Sequence, residues 1–332
     1  MENVLITNNV GGIHCIESSP TLRNVTISEN AISGFWANSF GGGINCDQSS
    51  PYLENVIITN NSVSKNWWND GGWGGGIYCT NFSNPVLKNV LVEGNYAEHT
   101  GAGMACYVDC NPVLINVTFT NNVSDNTGGA VYNYLTSHPA ITNSIMWNNM
   151  PQEIFSSNID ISYSDIQGGW EGEGNIDEDP MFTGTGNFPF SLSDNSPCID
   201  KGNPDTTGLN LPEFDLAGNL RLKGGRIDMG AYENQSVTTV ITHGGQTDKF
   251  YSQCSPNPCK GELTITFTLS ESVRMAIDIY NQQGEKEMEI VNQFLPEGKH
   301  VYSFDAENLP SGIYFVRLQV GVKAETRKII KL

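Results

Sequence analysis

Four of the six tryptophans, Trp36, Trp67, Trp68 and Trp73, fall in two neighbouring stretches, AISGFWANSF (31–40) and SVSKNWWNDGGW (62–73). Asn45 and Asp47 follow the first stretch and Tyr78 follows the second; in later, similar segments Tyr132 takes the place of Asn45 and Tyr78, and Tyr107 that of Asp47. Aromatic rings interleaved with hydrogen-bonding side chains suit a sugar, which offers an apolar face and a rim of hydroxyls. The expected site is thus a glycan-contacting face made of Trp36, Asn45, Asp47, Trp67, Trp68, Trp73, Tyr78, Tyr107 and Tyr132. The competing reading of the same residues is that Trp-rich loops pack on one another and shield a glycine-rich strand.

Catalytic groups are sparser. Taking a proton from a uronate needs a positioned base, yet residues 1–150 hold only Arg23, Lys65 and Lys88 as lysine or arginine, and only Lys65 falls near the aromatic stretches. Hydrolysis of a glycosidic bond needs two carboxyl groups at a set separation, and Asp47, Asp70, Glu98, Asp109 and Asp125 are each isolated in sequence. The five histidines show no HExxH or paired spacing, and GGWGGG lacks the lysine and helix of a phosphate loop. The site residues read as non-catalytic. A polysaccharide lyase or glycoside hydrolase is the alternative, and a structural surface spacer is the third reading.

The elements that must position these residues repeat. SSPTLRNVTI (18–27), SSPYLENVII (49–58), SNPVLKNVLV (83–92), CNPVLINVTF (110–119) and SHPAITNSIM (137–146) align without gaps, each preceded by a glycine-led segment such as GGGINC or GGGIYC. The aligned Asn3, Asn24, Asn55, Asn89, Asn116 and Asn143 are 21, 31, 34, 27 and 27 residues apart. From Cys15, Cys46, Cys79, Cys106 and the equivalent Asn133 to the next asparagine takes only 9 or 10 residues, so the length variation sits in one corner of the repeat. A stacked coil of fixed cross-section with one tolerant loop behaves this way. Apolar residues alternate at the strand period: Ile44 and Cys46 on one side, Asn45 and Asp47 on the other. Three short strands per coil are expected, with the aligned asparagine at a tight bend, facing inward, left-handed, and bonded to its copies above and below. The cysteine column reads as a stack of buried thiols. It does not read as zinc, because in-register columns do not converge four ligands on a point.

The GGGIxCxxSSPxLxNVxIxxN pattern resembles the right-handed parallel β-helix superfamily, which includes pectate lyases and polygalacturonases, over residues 3 to about 166. The resemblance implies an all-β coil whose glycan cleft runs along the face carrying the aromatic residues. Residues 167–233, with SLSDNSPCIDKG and DLAGNLRLKGGRIDMGAYE, resemble the terminal region of bacterial β-helix proteins of the choice-of-anchor type, which implies terminal coils and a cap. Its acids Asp177, Glu178, Asp179, Asp200, Asp205, Asp215 and Asp228 fit turns that bond their own backbone. No cofactor is expected; calcium is the ion this oxygen-rich stretch would suit, although EF-hand spacing is missing.

After a polar linker, 234–253, the tail alternates strongly in ELTITFTL, VRMAIDIYN, KHVYSFDA and IYFVRLQV, with turns at QQGE and NLPSG. That pattern predicts a small immunoglobulin-like β-sandwich. SPNPCKGELTITF, LPEGKHVYSFDAENLPSGIYFVRL and the final RKIIKL resemble the type IX secretion C-terminal sorting domain over 254–332. The resemblance implies export across the outer membrane of a Bacteroidota-type cell, contact with the type IX machinery, and a secreted or outer-membrane-attached, extracellular location. Cys254 and Cys259 flank SPNP and leave a disulfide or two thiols open.

Charge agrees with this division. The 332 residues carry 36 acidic and 17 basic side chains, a net −19, of which residues 1–253 supply −18 and residues 254–332 only −1. A nucleic-acid partner, which demands a basic face, is excluded, and an acidic surface would also repel polyuronates. No stretch reaches the roughly eighteen apolar residues of a membrane-spanning helix. The chain opens with a repeat already in progress, ENVLITNNVGG, with neither a leader nor a polar cap. An N-terminally truncated piece of a longer secreted protein is therefore expected.

Overall fold

The computed structural model describes residues 1–33, 39–66, 71–156, 158–223, 226–235, 252–269, 273–307, 309–320 and 323–332. They divide into two compact units, Met1–Thr239 and Val240–Leu332.

Among the described residues, the strands of the first unit pair in parallel into three sheets that share successive coils. The cysteine sheet stacks Ile13–Ile16, Ile44–Asp47, Ile77–Thr80, Met104–Cys106, Val131–Asn133 and Ile154–Phe155, which mark coils 1 to 6. A long sheet is centred on Tyr52–Thr59, Val86–Glu93 and Val113–Thr120, with shorter strands on either side. A short sheet stacks the two-residue strands Ala31–Ile32, Ser62–Val63, Tyr96–Ala97 and Val123–Ser124. Register is strict: Ile44 partners Ile77, and Cys46 partners Cys79. One core fills the coil interior, with Ile44, Cys46, Leu53, Val56 and Ile58 repeated by their equivalents in each turn. The glycine before each cysteine strand follows from this spacing. A Cβ on Gly43 would lie 2.6 Å from the Gly76 carbonyl oxygen, and one on Gly76 would lie 2.6 Å from that of Gly103.

The coil differs from expectation in two respects. The runs on either side of the aligned asparagine join into one eight-residue strand in coils 2 to 4, and the third wall is the short sheet, whose residues the sequence reading assigned to the variable loops. The second difference concerns which asparagine faces inward. Asn3, Asn24, Asn55, Asn89, Asn116 and Asn143 do adopt left-handed backbone, with φ of 51–56°, and Asn24, Asn55 and Asn89 each donate to the copy before. Their side chains nevertheless lie on the outside of the bend, and Asn24 is exposed. The inward ladder is made by the last asparagine of the repeat pattern. Asn9, Asn30, Asn61, Asn95, Asn122 and Asn149 pass amide-to-carbonyl bonds of 2.7–3.0 Å from coil to coil. The outer position is chosen by backbone conformation; the inner one is chosen because a buried amide must find partners. The inner ladder ends on the buried Glu153, whose carboxylate accepts from the Asn149 backbone N–H at 2.9 Å and from its side-chain amide at 2.5 Å.

The segment after the last coil covers more than an end. Residues up to Ile176 do continue the stack, since Asp165 bridges Ile176 and Ser164 donates to the Asn175 side chain. Beyond that, residues 182–223 and 226–234 form a strap along the outside of the long sheet. Leu192, Cys198 and Met229 form a second core with the outward-facing Ile145, and Trp147, Tyr163 and Phe182 pack against it. Lys88 donates to the carbonyls of Leu209 and Asn210 at 2.6 and 2.7 Å, Asn89 to that of Phe214, and Asn116 to those of Asp228 and Gly230. The asparagine bend is thus exposed in coil 1 and buried where the strap lies on it.

The second unit is antiparallel. Ser252–Ser255, Glu262–Leu269 and Gly298–Asp305 form one sheet, and Lys286–Leu295, Val273–Tyr280, Gly312–Val320 and Lys323–Lys331 form the other. Leu263, Ile265 and Phe267 of the first sheet and Met275, Ile277, Ile279, Val316 and Leu318 of the second belong to a single core. The molecule is therefore all-β, with parallel sheets in the long unit and a smaller β region at its C-terminus.

Candidate functional site

The outward positions of the cysteine sheet form two columns. His14, Asn45, Tyr78, Ala105, Tyr132 and Phe155 are Cα partners in series. Ile16, Asp47 and Thr80 lead the second column, and the Tyr107 and Tyr134 backbone N–H groups continue it by donating to Cys79 and Cys106. The rings touch without a break. Phe40 stacks on Tyr78 at 4.8 Å between centroids, Trp73 meets Tyr78 at 6.2 Å and Tyr107 edge-on at 4.6 Å, and Tyr107 stacks on Tyr134 at 5.8 Å. Tyr134 stacks on Tyr132 at 6.1 Å, and Tyr132 on Phe155 at 5.4 Å. Rings stacked at this separation cover one another's faces and turn their edges and hydroxyls outward.

Exposure changes along this file. Tyr78 is 5% exposed, whereas Tyr134 is 44% and Phe155 42% exposed. Trp73 and Tyr107 are half-buried. Burial pushes the Tyr78 and Tyr132 hydroxyls above the ordinary tyrosine range, so they remain neutral donors. Among the described residues, the Trp73 indole N–H and the Asn45 side-chain oxygen are buried and meet no hydrogen-bond partner. Asp47 instead accepts from the Asn81 amide at 2.8 Å.

Of the residues singled out from sequence, Trp73, Tyr78, Tyr107 and Tyr132 thus join one contact chain, and Asn45 stands in register with Tyr78. Trp36, Trp67 and Trp68 lie outside the described residues. Phe155 was missed because coil 6 carries neither the glycine-led segment nor a cysteine; the signal available was its spacing of 23 residues from Tyr132, close to one coil. Tyr134 and Phe40 were legible as outward and loop aromatics, but their stacking was not.

Among the described residues, the acids near the file are held singly. Asp109 accepts from the Thr136 hydroxyl, Asp125 from the Tyr96 hydroxyl at 3.0 Å, and Glu98 from the Lys65 backbone N–H at 2.9 Å. On the other face Arg23 pairs with Glu54 at 3.4 Å. Some acids of the terminal region bond their own turns, as Asp179, Asp205 and Asp215 do, and others tie distant segments together. Asp215 accepts from the backbone N–H groups of Ala217, Asn219 and Glu233, and Asp228 from those of Asp200 and Asn234. Arg221, fully buried, contacts Glu233 at 3.1 Å. Burial pushes the Glu233 and Asp228 carboxyls up, against the pull of the guanidinium. Among the described residues, no three His, Cys, Asp or Glu side chains converge as metal ligands. A depression of about 490 Å³ between Thr206 and Leu222 lies on the strap, on the asparagine-bend side and away from the aromatic file.

Comparison with known families agrees with this architecture. Residues 1–158 match the family model of the right handed beta helix region, and residues 254–332 that of the secretion system C-terminal sorting domain. The chain therefore carries an N-terminal parallel β-helix and a C-terminal type IX secretion sorting domain. It is a secreted or outer-membrane-attached extracellular protein that meets the type IX machinery through its tail. No curated protein matches the chain. Among the described residues, no helix is long and apolar enough to cross a membrane.

Proposed function

We propose that this exported β-helix is a non-catalytic recognition element that contacts extracellular glycan along the aromatic file of the cysteine sheet. The observation that carries the reading is the file itself: seven rings in continuous contact across successive coils, opening to solvent at Tyr134 and Phe155. Because the ring faces are largely used by one another, a sugar would meet ring edges and tyrosine hydroxyls along the file. The contact footprint centres on Tyr107, Tyr132, Tyr134 and Phe155, with Trp73 and Asn45 beside it, while Tyr78 serves as the foundation of the stack. The isolated carboxylates favour binding over hydrolysis, and the stacking of Phe40 on the buried Tyr78 favours the packing reading for those two rings only. The proposed division is coils over 1–166, terminal coils and cap over 167–233, a linker over 234–253, and an immunoglobulin-like sorting domain over 254–332.

Affinity electrophoresis on a panel of neutral and acidic polysaccharides tests this. Tyr134→Ala and Phe155→Ala, at exposed positions, are expected to abolish most of the retardation by at least one neutral polysaccharide. Unchanged mobility for both variants, or no retardation of the parent chain by any member, sinks the glycan reading. Release of reducing ends or unsaturated products would replace it with a catalytic one.

A further inference from the structure

Four cysteines stand directly above one another inside the coil. Cys15 and Cys46, Cys46 and Cys79, and Cys79 and Cys106 are Cα partners on adjacent parallel strands. All four are buried, unbridged thiols in this structure. Parallel neighbours run about 4.8 Å apart, inside the roughly 4.4–6.8 Å Cα separation a disulfide spans. The sorting domain sends this chain out of the cell, into surroundings where disulfides form and persist.

We infer that the column is an oxidative cross-linking site, with Cys15 joined to Cys46 and Cys79 joined to Cys106. The bridges staple coil 1 to coil 2 and coil 3 to coil 4. Pairing from the two ends of the file leaves no thiol over, whereas joining Cys46 to Cys79 strands Cys15 and Cys106 on opposite sides. Cys110 and Cys198 are engaged elsewhere, donating to the Val108 carbonyl and to the Asp165 carboxylate, each at 3.1 Å. Each bridge forms as two thiols lose two protons and two electrons to an oxidised protein disulfide, which leaves as a dithiol. A disulfide draws its Cβ atoms to about 3.8 Å, closer than the sheet spacing, so each bridge pinches its two strands together and is more readily reduced than an unstrained one. In the finished coil the sulfurs are sealed from any exchange partner. The bridges therefore form while coils assemble, and the folded protein keeps the redox state in which it folded.

The test is a peptide map of the secreted full-length chain, purified without reductant, denatured, alkylated and digested. Two linked peptide pairs are expected, Cys15 with Cys46 and Cys79 with Cys106, both lost on prior reduction. The same chain folded in a reducing cytoplasm should show four alkylated thiols at these positions and melt roughly 10 °C lower. Four alkylated thiols in the secreted chain, or a bridge between Cys46 and Cys79, overturns the inference. No variant is needed, so failure to fold cannot obscure the result.

Discussion

The two asparagine ladders use one residue type for opposite reasons. At the outer bend the backbone at φ of 51–56° sets the requirement, and the side chain tolerates solvent in coil 1 or a strap carbonyl in coils 3 and 4. In the inner ladder the side chain sets the requirement: Asn95 accepts from the Asn61 backbone and amide, and donates to the Ile58 carbonyl and to Asn122. A residue can recur at coil period because of what its backbone permits or because of what its side chain satisfies. Substitution separates the two.

The largest effect belongs to the inner ladder. Asn95→Ala strands the Asn61 amide and the Ile58 carbonyl inside the coil and should cost about 3 kcal/mol, read as a lowered midpoint in urea. A loss as small as that of an outer asparagine would dissolve the distinction.

A middle effect comes from where the inner ladder stops. Burial raises the Glu153 carboxyl to about 7, opposed by its bonds from Asn149. A carboxyl held above its ordinary range in the folded state stabilises the fold while protonated. Its contribution is complete below the ordinary glutamate range and is lost as pH rises through about 7. Stability should therefore fall by about 2–3 kcal/mol between pH 5 and pH 8 from this group. Asp165, which burial lifts to about 7, acts in the same direction. Glu153→Gln should flatten part of that slope in denaturation curves taken across the range, and an unchanged slope would remove Glu153 from the account.

The smallest effect belongs to the outer bend. Asn55→Ala forces a Cβ-bearing residue without a compensating side chain into left-handed backbone and should cost about 1 kcal/mol, while Asn55→Gly should recover most of it. Thermal melts of the pair decide this. If glycine is as damaging as alanine, the hydrogen bonds to Asn24 and Asn89 matter more than the backbone.

Much of the coil was legible because its signals are local. The glycine-led strand, the alternation of Ile44 and Cys46, and the constant 9 or 10 residues from cysteine to asparagine each report a constraint within one turn. The short sheet was hidden because two residues such as Ser62–Val63 show no period. The inner ladder was confused with the outer one because both asparagines recur at coil spacing, and only the left-handed backbone of one set and the hydrogen-bond partners of the other tell them apart. The strap depends on contacts such as Lys88 with Leu209, 121 residues away, which no local pattern announces. The aromatic columns were readable from strand alternation as far as Tyr134; the stacking that closes the ring faces, and the coil that adds Phe155, were not.

The strap has a mechanical consequence. A stack whose turns touch only their neighbours can come apart one turn at a time. Residues 182–223 and 226–234 bond across Lys88, Asn89, Asn116 and Asn143 and pack on Ile145, lashing coils 3 to 5 into one block. Under a pulling force, coils 1 and 2 should yield in small successive steps and the lashed block in a single large one. The segment that closes the coil thus also sets the size of the piece that breaks.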